Sequence, residues 1–304
     1  MSNVARAVEA AGKNCQLFIL FKQNTIEIRP RFRGGAVSHL KKENTMHLED
    51  RDKQIFSYLA KFHCLTAEHV ALLFGMNIKN CQRRLRKLTA RNYIQFIQSP
   101  GISAGKSPYL FYLGESGCEL MNIEFKKPRL TVKLSHQQKN TDILVKIISD
   151  FRDSDILCEV IPEHILREEQ PSIIPDAAFM LQRKSNEATK KQALFLVENC
   201  EGTEIISSKS FNQDIEKKFI SYVSYFNDGD TLLYDRLFGC SFKRFRVLYI
   251  ASSLQRQNSI SKIISSLDSD GFIWITTIEL LEQKGIKAEI WQVPGTGEKE
   301  RRLL

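Results

Sequence analysis

The chain has 304 residues, of which 42% are hydrophobic and 26% charged, and its formal net charge is +9. This composition predicts a globular protein with room for two domains, excludes a disordered chain, and favours a polyanionic partner. Seven cysteines without a CxxC pair argue against a zinc ribbon and a disulfide framework, and they indicate a reducing, cytoplasmic compartment. Because no segment approaches the roughly 20 apolar residues of a membrane span, we expect no membrane partner.

Residues 1–47 are predicted to form an N-terminal arm or hairpin outside the two domains. Two apolar runs, QLFILF and TIEIRP, are candidates to pair with each other, and a basic run, RPRFRGG, overlaps the second. The segment is either an arm that contacts DNA or a plain linker.

Two helices are predicted in the stretch LEDRDKQIFSYLAKFHCLTAEHVALLFG. The first has apolar residues at spacings of three and four: Ile55, Phe56, Leu59 and Phe62. Asp50 or Asp52 could cap its start. Thr66 is a plausible N-cap for the second helix, and Gly75 ends it because glycine tolerates the left-handed conformation.

The next stretch, MNIKNCQRRLRKLTARNYIQF, predicts a third helix with one apolar stripe and one basic face. The stripe consists of Ile78, Cys81, Leu85 and Leu88. The predicted DNA contacts on the opposite face and its flank are Lys79, Asn80, Arg83, Arg84 and Lys87. Lysine and arginine neutralise phosphates, while arginine and asparagine can read base edges in the major groove. The pattern is therefore typical of a recognition helix.

Two short aromatic segments, YIQFIQ and SPYLFYL, follow this helix and flank the loop SPGISAGK. Two helices, a basic helix and a hairpin, in that order, predict a winged helix-turn-helix over residues 48–125, with Lys106 in the wing near a backbone phosphate. Between residues 51 and 112 there are ten basic residues and only two acidic ones. A merely solvated basic face and a protein-binding winged helix are the alternatives to double-stranded DNA binding.

From about residue 135 the pattern changes to that of a mixed sheet between helices. The predicted order is α-β-β-β-α-β, followed by α-β-α, over residues 126–290. Residues 291–304 are polar and are predicted to form a flexible tail. The predicted fold class is therefore α+β, with an N-terminal winged helix-turn-helix before an α/β domain.

Two predicted strands of this domain deliver acids to one edge of the sheet. Asp176 follows a proline in IIPDAAFMLQRK, and Glu198 ends the apolar run in ALFLVENCEGTE. This arrangement resembles the PD-(D/E)xK nucleases, whose restriction-endonuclease-like (αβββαβ) fold holds Mg²⁺ between two such acids beside a lysine. Cys200 stands at the lysine position of that motif, and a neutral thiol cannot replace an ammonium. Turn chemistry at Pro-Asp and helix capping by the glutamate are the alternatives.

A longer series of motifs resembles the replication-relaxation family, which is found on plasmids and other mobile elements. The motifs are TAEHVALLF, RRLRKL, YLFYLGESG, SHQQKNTDILV, IPDAAF, FLVENCEGTE and KKFISYVSYF. The resemblance implies an N-terminal winged helix and a degenerate nuclease-like domain. It also implies a basic residue one turn before a tyrosine on the helix after the third strand, as in Lys218 and Tyr222. Lys217 or Lys218 would then replace the lysine missing at position 200.

These features give two hypotheses about function. In the first, a DNA-binding protein of a mobile element nicks or cleaves DNA with Mg²⁺ held by Asp176 and Glu198, assisted by Lys217 or Lys218. In the second, it is a non-catalytic regulator or assembly factor that works with other proteins of a replication, transposition or defence complex. His136 is a possible general base, although a lone histidine beside a helix start is more often structural. Further candidate acids are Asp142 and Glu159.

Overall fold

The structure is a computed structural model that describes residues 47–98, 108–129, 132–184, 192–200, 215–229, 231–267, 269–296 and 301–303. Three predictions fall outside these residues. They are the N-terminal arm before residue 47, the wing loop with Lys106, and the run from Glu201 to Glu204.

The N-terminal unit has the predicted order of three helices and a hairpin. Its elements are α1 (Asp50–Phe62), α2 (Ala67–Phe74), α3 (Ile78–Thr89), β1 (Ile94–Gln98), β2 (Tyr109–Leu113) and the short α4 (Glu115–Met121). Strands β1 and β2 pair antiparallel, from Ile94 opposite Leu113 to Gln98 opposite Tyr109. The hairpin of β1 and β2 packs against the three-helix core, with which it shares buried residues.

Side-chain caps fix where the three helices begin. Thr66 accepts a 3.1 Å hydrogen bond from the backbone N–H of His69, as the sequence predicts. Asn77 caps α3 by accepting from the N–H of Lys79 at 2.9 Å. At α1 the cap residue is Glu49, whose backbone N–H donates to Asp52 at 2.8 Å, so Asp52 supports the cap from inside the helix.

The C-terminal unit is a five-stranded mixed sheet with helices, which gives the chain a mixed α+β fold. Its elements are α5 (Val132–Phe151), β3 (Ile156–Pro162), α6 (Glu163–Glu168), β4 (Ala177–Arg183), β5 (Gln192–Asn199), α7 (Ile215–Asp228), α8 (Leu232–Phe238), β6 (Phe245–Ala251), α9 (Leu254–Ser266), β7 (Ile273–Thr277) and α10 (Ile278–Lys284). The strands lie in sequence order, antiparallel from β3 to β5 and parallel from β5 to β7. Among the helices described, none combines the length and hydrophobicity that a bilayer crossing requires.

Strand register places the predicted acids at one end of the sheet. Pro162 at the end of β3 lies opposite Ala177 at the start of β4, and Ala177 lies opposite Val197 of β5. Residues Glu163, Asp176 and Glu198 are the next residues along these three strands. Antiparallel pairing therefore brings together three acids that are separated by up to 35 positions in the sequence.

The two units share one hydrophobic core. Buried residues of α1 to β2 and buried residues of α5 and the sheet belong to the same cluster. Polar contacts also join α2 to the C-terminal unit, among them a 2.6 Å contact between His69 Nε2 and Asp142 Oδ1 and a 2.7 Å bond from Arg152 Nη1 to the carbonyl of Leu72. Helix α2 is thus fixed against the C-terminal unit.

The segment predicted as a flexible tail differs from that expectation in its described residues, 291–296 and 301–303. Trp291 is fully buried, its indole N–H donates to the carbonyl of Ile286 at 3.1 Å, and Leu303 is buried as well. Isolated β-bridges pair Gln292 with Ile275 and Trp291 with Arg301. The polar composition of the tail hid three buried apolar residues, Trp291, Val293 and Leu303.

Candidate functional site

Helix α3 presents a basic face to solvent. Its apolar stripe is buried as predicted, with Cys81, Leu85 and Leu88 each at most 1% exposed. The opposite side carries five exposed residues, which we call the basic face: Lys79, Asn80, Arg83, Arg86 and Lys87. No acid lies within α3.

Arg84 is used differently from its neighbours on α3. Its side chain is 19% exposed, its Nε donates to Asp52 Oδ1 at 2.8 Å, and its Nη1 lies 3.5 Å from Glu49. Asp52 is 1% exposed, and a carboxylate buried so deeply needs a charged partner. Arg84 is therefore a positioning residue that ties α3 to α1, in place of the DNA contact predicted for it.

An exposed aromatic pair stands on the hairpin beside the predicted wing. Phe96 and Tyr109 are 49% and 54% exposed, and their ring centroids lie 4.9 Å apart. The alternation of β1 and β2 puts both rings on the outer face of the hairpin, a signal already present in YIQFIQ and SPYLFYL.

Asp176 is held by two polar neighbours. One oxygen, Oδ1, lies 3.1 Å from Nε2 of His136, and the other accepts a 2.7 Å hydrogen bond from the backbone N–H of Asn199. Burial alone would raise the pKa of Asp176. The hydrogen bond from His136, the charge of Lys218 and the Asn199 N–H outweigh burial, so the pKa is lowered and the carboxylate stays ionised.

Glu198 is buried at the end of β5, and both of its carboxylate oxygens have hydrogen-bond partners. The residue is 2% exposed, the ammonium of Lys218 donates to Oε2, and the hydroxyl of Tyr222 donates to Oε1. Burial raises the pKa of Glu198 to about 7, although Lys218 and Tyr222 both favour the carboxylate. The two α7 positions singled out by the family resemblance thus converge on Glu198.

The other residues predicted for this site have separate environments. Lys217 is half-buried, and its carbonyl accepts a 3.0 Å hydrogen bond from Ser221. Cys200 is buried, with its Sγ 2.7 Å from Nε of Arg256 on α9. A guanidinium therefore lies beside the position where the nuclease motif has lysine, and nothing in the sequence near position 200 indicates Arg256.

The pair of Asp176 and Glu198 does not fit the Mg²⁺ site predicted for it. Magnesium needs near-octahedral oxygen ligands, but both oxygens of Glu198 already accept bonds from Lys218 and Tyr222. Among the described residues, a different group lies within ligand range. One ligand atom each from His136, Glu163 and Asp176 lie within 4.8 Å of one another.

Glu163 was missed by the sequence analysis, and the two further candidate acids lie elsewhere. The relation of Glu163 to Asp176 depends on the pairing of β3 with β4, which no local motif specifies. Asp142 is engaged with His69 at the contact between the units. Glu159 interacts electrostatically with Lys61 of α1, whose ammonium donates to the carbonyl of Val160 at 3.0 Å.

Comparison with known proteins gives one family match. The family model described as "Replication-relaxation" matches residues 56–237, which is more than half of the chain. A search of the curated proteins gave no significant match.

Two solved structures of ZitR from Lactococcus lactis are also similar to this chain. A cysteine-to-serine mutant is 14% identical and covers 46% of this chain and 79% of its own, with a TM-score of 0.22. The wild type in complex with DNA is 16% identical and covers 56% and 99%, also with a TM-score of 0.22. Likeness at this level carries no conclusion for this chain.

Proposed function

The chain belongs to the replication-relaxation family, and from that premise we propose that it is a double-stranded DNA-binding protein whose α3 enters the major groove. The observation that carries the proposal is the basic face of α3. Four cations and one amide are exposed on a single helix without any acid among them. The cations of such a face can contact the phosphates on either side of a major groove, while arginine and asparagine can contact the base edges within it.

The contacts that hold α3 and its neighbouring helices in place support this role. Arg84 ties α3 to α1, while a contact between His69 and Asp142 ties α2 to α5, so α3 belongs to a helix group that is held against the C-terminal unit. A recognition helix gains from such fixation because less conformational entropy is lost on docking. The exposed rings of Phe96 and Tyr109 lie on the adjacent hairpin, where a wing would approach the DNA backbone.

The proposal is tested with the double variant Arg83→Ala/Lys87→Ala. Fluorescence anisotropy with labelled duplex DNA at low salt should show affinity lower by on the order of 100-fold, since each lost cation removes a phosphate or base contact. A matched control, Lys262→Ala/Lys284→Ala, removes the same charge from exposed positions on α9 and α10. Equal affinities of the two double variants would contradict the assignment of α3.

For the C-terminal unit we propose a nuclease-like arrangement that serves as a platform and does not cleave through Asp176 and Glu198. The sealing of Glu198 by Lys218 and Tyr222 supports this, as does Cys200 at the lysine position. The competing proposal is Mg²⁺-dependent nicking through Asp176, Glu198 and Lys218, which would require Lys218 to leave Glu198. The family resemblance also implies a setting on a mobile element and partner proteins from replication, transposition or defence complexes. We include both in the proposal.

Supercoiled plasmid incubated with Mg²⁺ or Mn²⁺ separates these two proposals. If the unit is a platform, the wild type and Asp176→Ala will produce the same background of nicked circles. Metal-dependent nicking by the wild type that disappears in Asp176→Ala would instead establish the enzymatic version.

A further inference from the structure

We propose that His136, Glu163 and Asp176 form a binding site for one divalent transition-metal ion such as Zn²⁺ or Mn²⁺. Three different elements supply the ligands: His136 lies on α5, Glu163 begins α6, and Asp176 precedes β4. The site goes beyond DNA binding and requires neither docking of α3 nor cleavage of DNA.

The distances between the ligand atoms match those around a small metal ion. His136 Nε2 is 3.1 Å from Asp176 Oδ1 and 3.7 Å from Glu163 Oε2. Ligands bound about 2.1 Å from one tetrahedral or octahedral ion lie about 3.0–3.4 Å from one another. Binding therefore needs Glu163 to move towards the other two groups, whose ligand atoms lie within 4.8 Å of its own.

Both carboxylates are oriented by partners on the side away from His136. Asp176 Oδ2 is fixed by the N–H of Asn199, and Glu163 Oε1 accepts a 2.8 Å bond from Nε of Arg167. This leaves Oδ1 of Asp176 and Oε2 of Glu163 directed at the imidazole. Metal-binding carboxylates are commonly held in this way by hydrogen bonds to the oxygen that does not bind the metal.

The cluster is also partly enclosed. The side chains of Glu163 and Asp176 are 14% and 13% exposed, whereas His136 is 32% exposed and leaves a route from solvent. A cavity of about 10 Å³ is bordered by Glu163 and Asp176 but not by His136, so it adjoins two of the three ligands only.

Charge and ligand chemistry determine the class of ion. Arg167 and the charge of Lys218 offset part of the negative charge of Glu163 and Asp176, and a proton on Nε2 of His136 can bridge only part of the set. A divalent ion can bond all three groups. Imidazole with carboxylates favours zinc and neighbouring transition metals over Mg²⁺ and Ca²⁺, which prefer oxygen ligands alone.

The test measures metal binding by the chelator-treated full chain in the absence of DNA. Mn²⁺ is the probe because it has little affinity for the thiols of the six described cysteines, and electron paramagnetic resonance counts the unbound ion. We expect one Mn²⁺ bound per chain and displaced by Zn²⁺ at lower concentration than by Mg²⁺. His136→Ala and Glu163→Gln should each weaken binding at least tenfold.

Glu168→Gln is the matched control because Glu168 is an exposed carboxylate on α6 outside the cluster, and it should bind Mn²⁺ as the wild type does. If His136→Ala fails to fold by circular dichroism, Glu163→Gln decides the question alone. Absence of Mn²⁺ binding would overturn the proposal. Unchanged binding in the ligand variants, or displacement by Mg²⁺ as readily as by Zn²⁺, would overturn it equally.

Discussion

The basic face of α3 contrasts with the end of the sheet that holds Asp176 and Glu198, which we call the acidic edge. The basic face draws its charges from positions 79 to 87 and turns them to solvent. The acidic edge combines residues from positions 136 to 218 and turns its carboxylates onto internal partners. One region leaves its charges open to solvent, whereas the other engages them with partners inside the protein. Whether a charged residue is available to bind a ligand therefore depends on whether it already has a partner inside the protein, and not on its residue type.

The largest effect on stability is expected at Arg84, which pairs with a buried acid instead of facing solvent. Arg84→Ala leaves Asp52 buried without its guanidinium, so the free energy of unfolding should fall by about 2 kcal/mol. Urea denaturation measures this as a lower midpoint. Arg86→Ala is the control two positions along the same helix, and as an exposed side chain it should change stability by less than about 0.5 kcal/mol. Equal losses in both variants would remove the distinction between positioning and exposed cations.

A smaller effect is expected at Gly117, which tests the packing of α4 against the start of the hairpin. A Cβ atom there would lie 2.1 Å from the carbonyl oxygen of Tyr93, so Gly117→Ala must displace α4 from β1. We expect a loss of about 1.5 kcal/mol in the free energy of unfolding. Ser116→Ala, next to it on α4, serves as control. A variant as stable as the wild type would show that the backbones are less closely packed than described.

The smallest effect is a pH dependence that originates in the acidic edge. Burial raises the pKa of Glu198 from 4.5 to about 7, so the folded state holds a proton that the unfolded chain releases. The stability from this proton is complete below about pH 4.5 and is lost as pH rises through about 7. As the pH rises from 5 to 7.5, the free energy of unfolding should therefore fall less in Glu198→Gln than in the wild type, by about 1 kcal/mol or more. Glu282→Gln, exposed on α10, should follow the wild type, and parallel profiles for all three proteins would contradict a buried, protonated Glu198.

The sequence predicted those features that depend on neighbours within one element. The stripe of Cys81, Leu85 and Leu88, the cap at Thr66 and the left-handed Gly75 follow from local periodicity and backbone preference. The order of strands along the chain was predicted for the same reason, whereas the short helices α6 and α8 were not predicted.

Pairings between distant residues were not predictable in this way. Arg84 was assigned to DNA because its partner Asp52 lies 32 positions earlier. Glu163 joins Asp176 only through the register of β3 with β4, and Arg256 reaches Cys200 across 56 positions. Trp291 was placed in a flexible tail because the polar residues after it dominate the composition there. In each case tertiary contacts decided the outcome, and these leave no periodic trace in one sequence.

The salt dependence of DNA binding tests the central claim most directly, because it counts the cations that meet phosphate. The logarithm of the association constant should fall linearly with the logarithm of salt concentration. In Arg83→Ala/Lys87→Ala the slope should be smaller in magnitude by about two, while Lys262→Ala/Lys284→Ala should keep the slope of the wild type. If the α3 variant kept the wild-type slope and the control lost it, the DNA would lie on another surface, and the basic face of α3 would not be the interface.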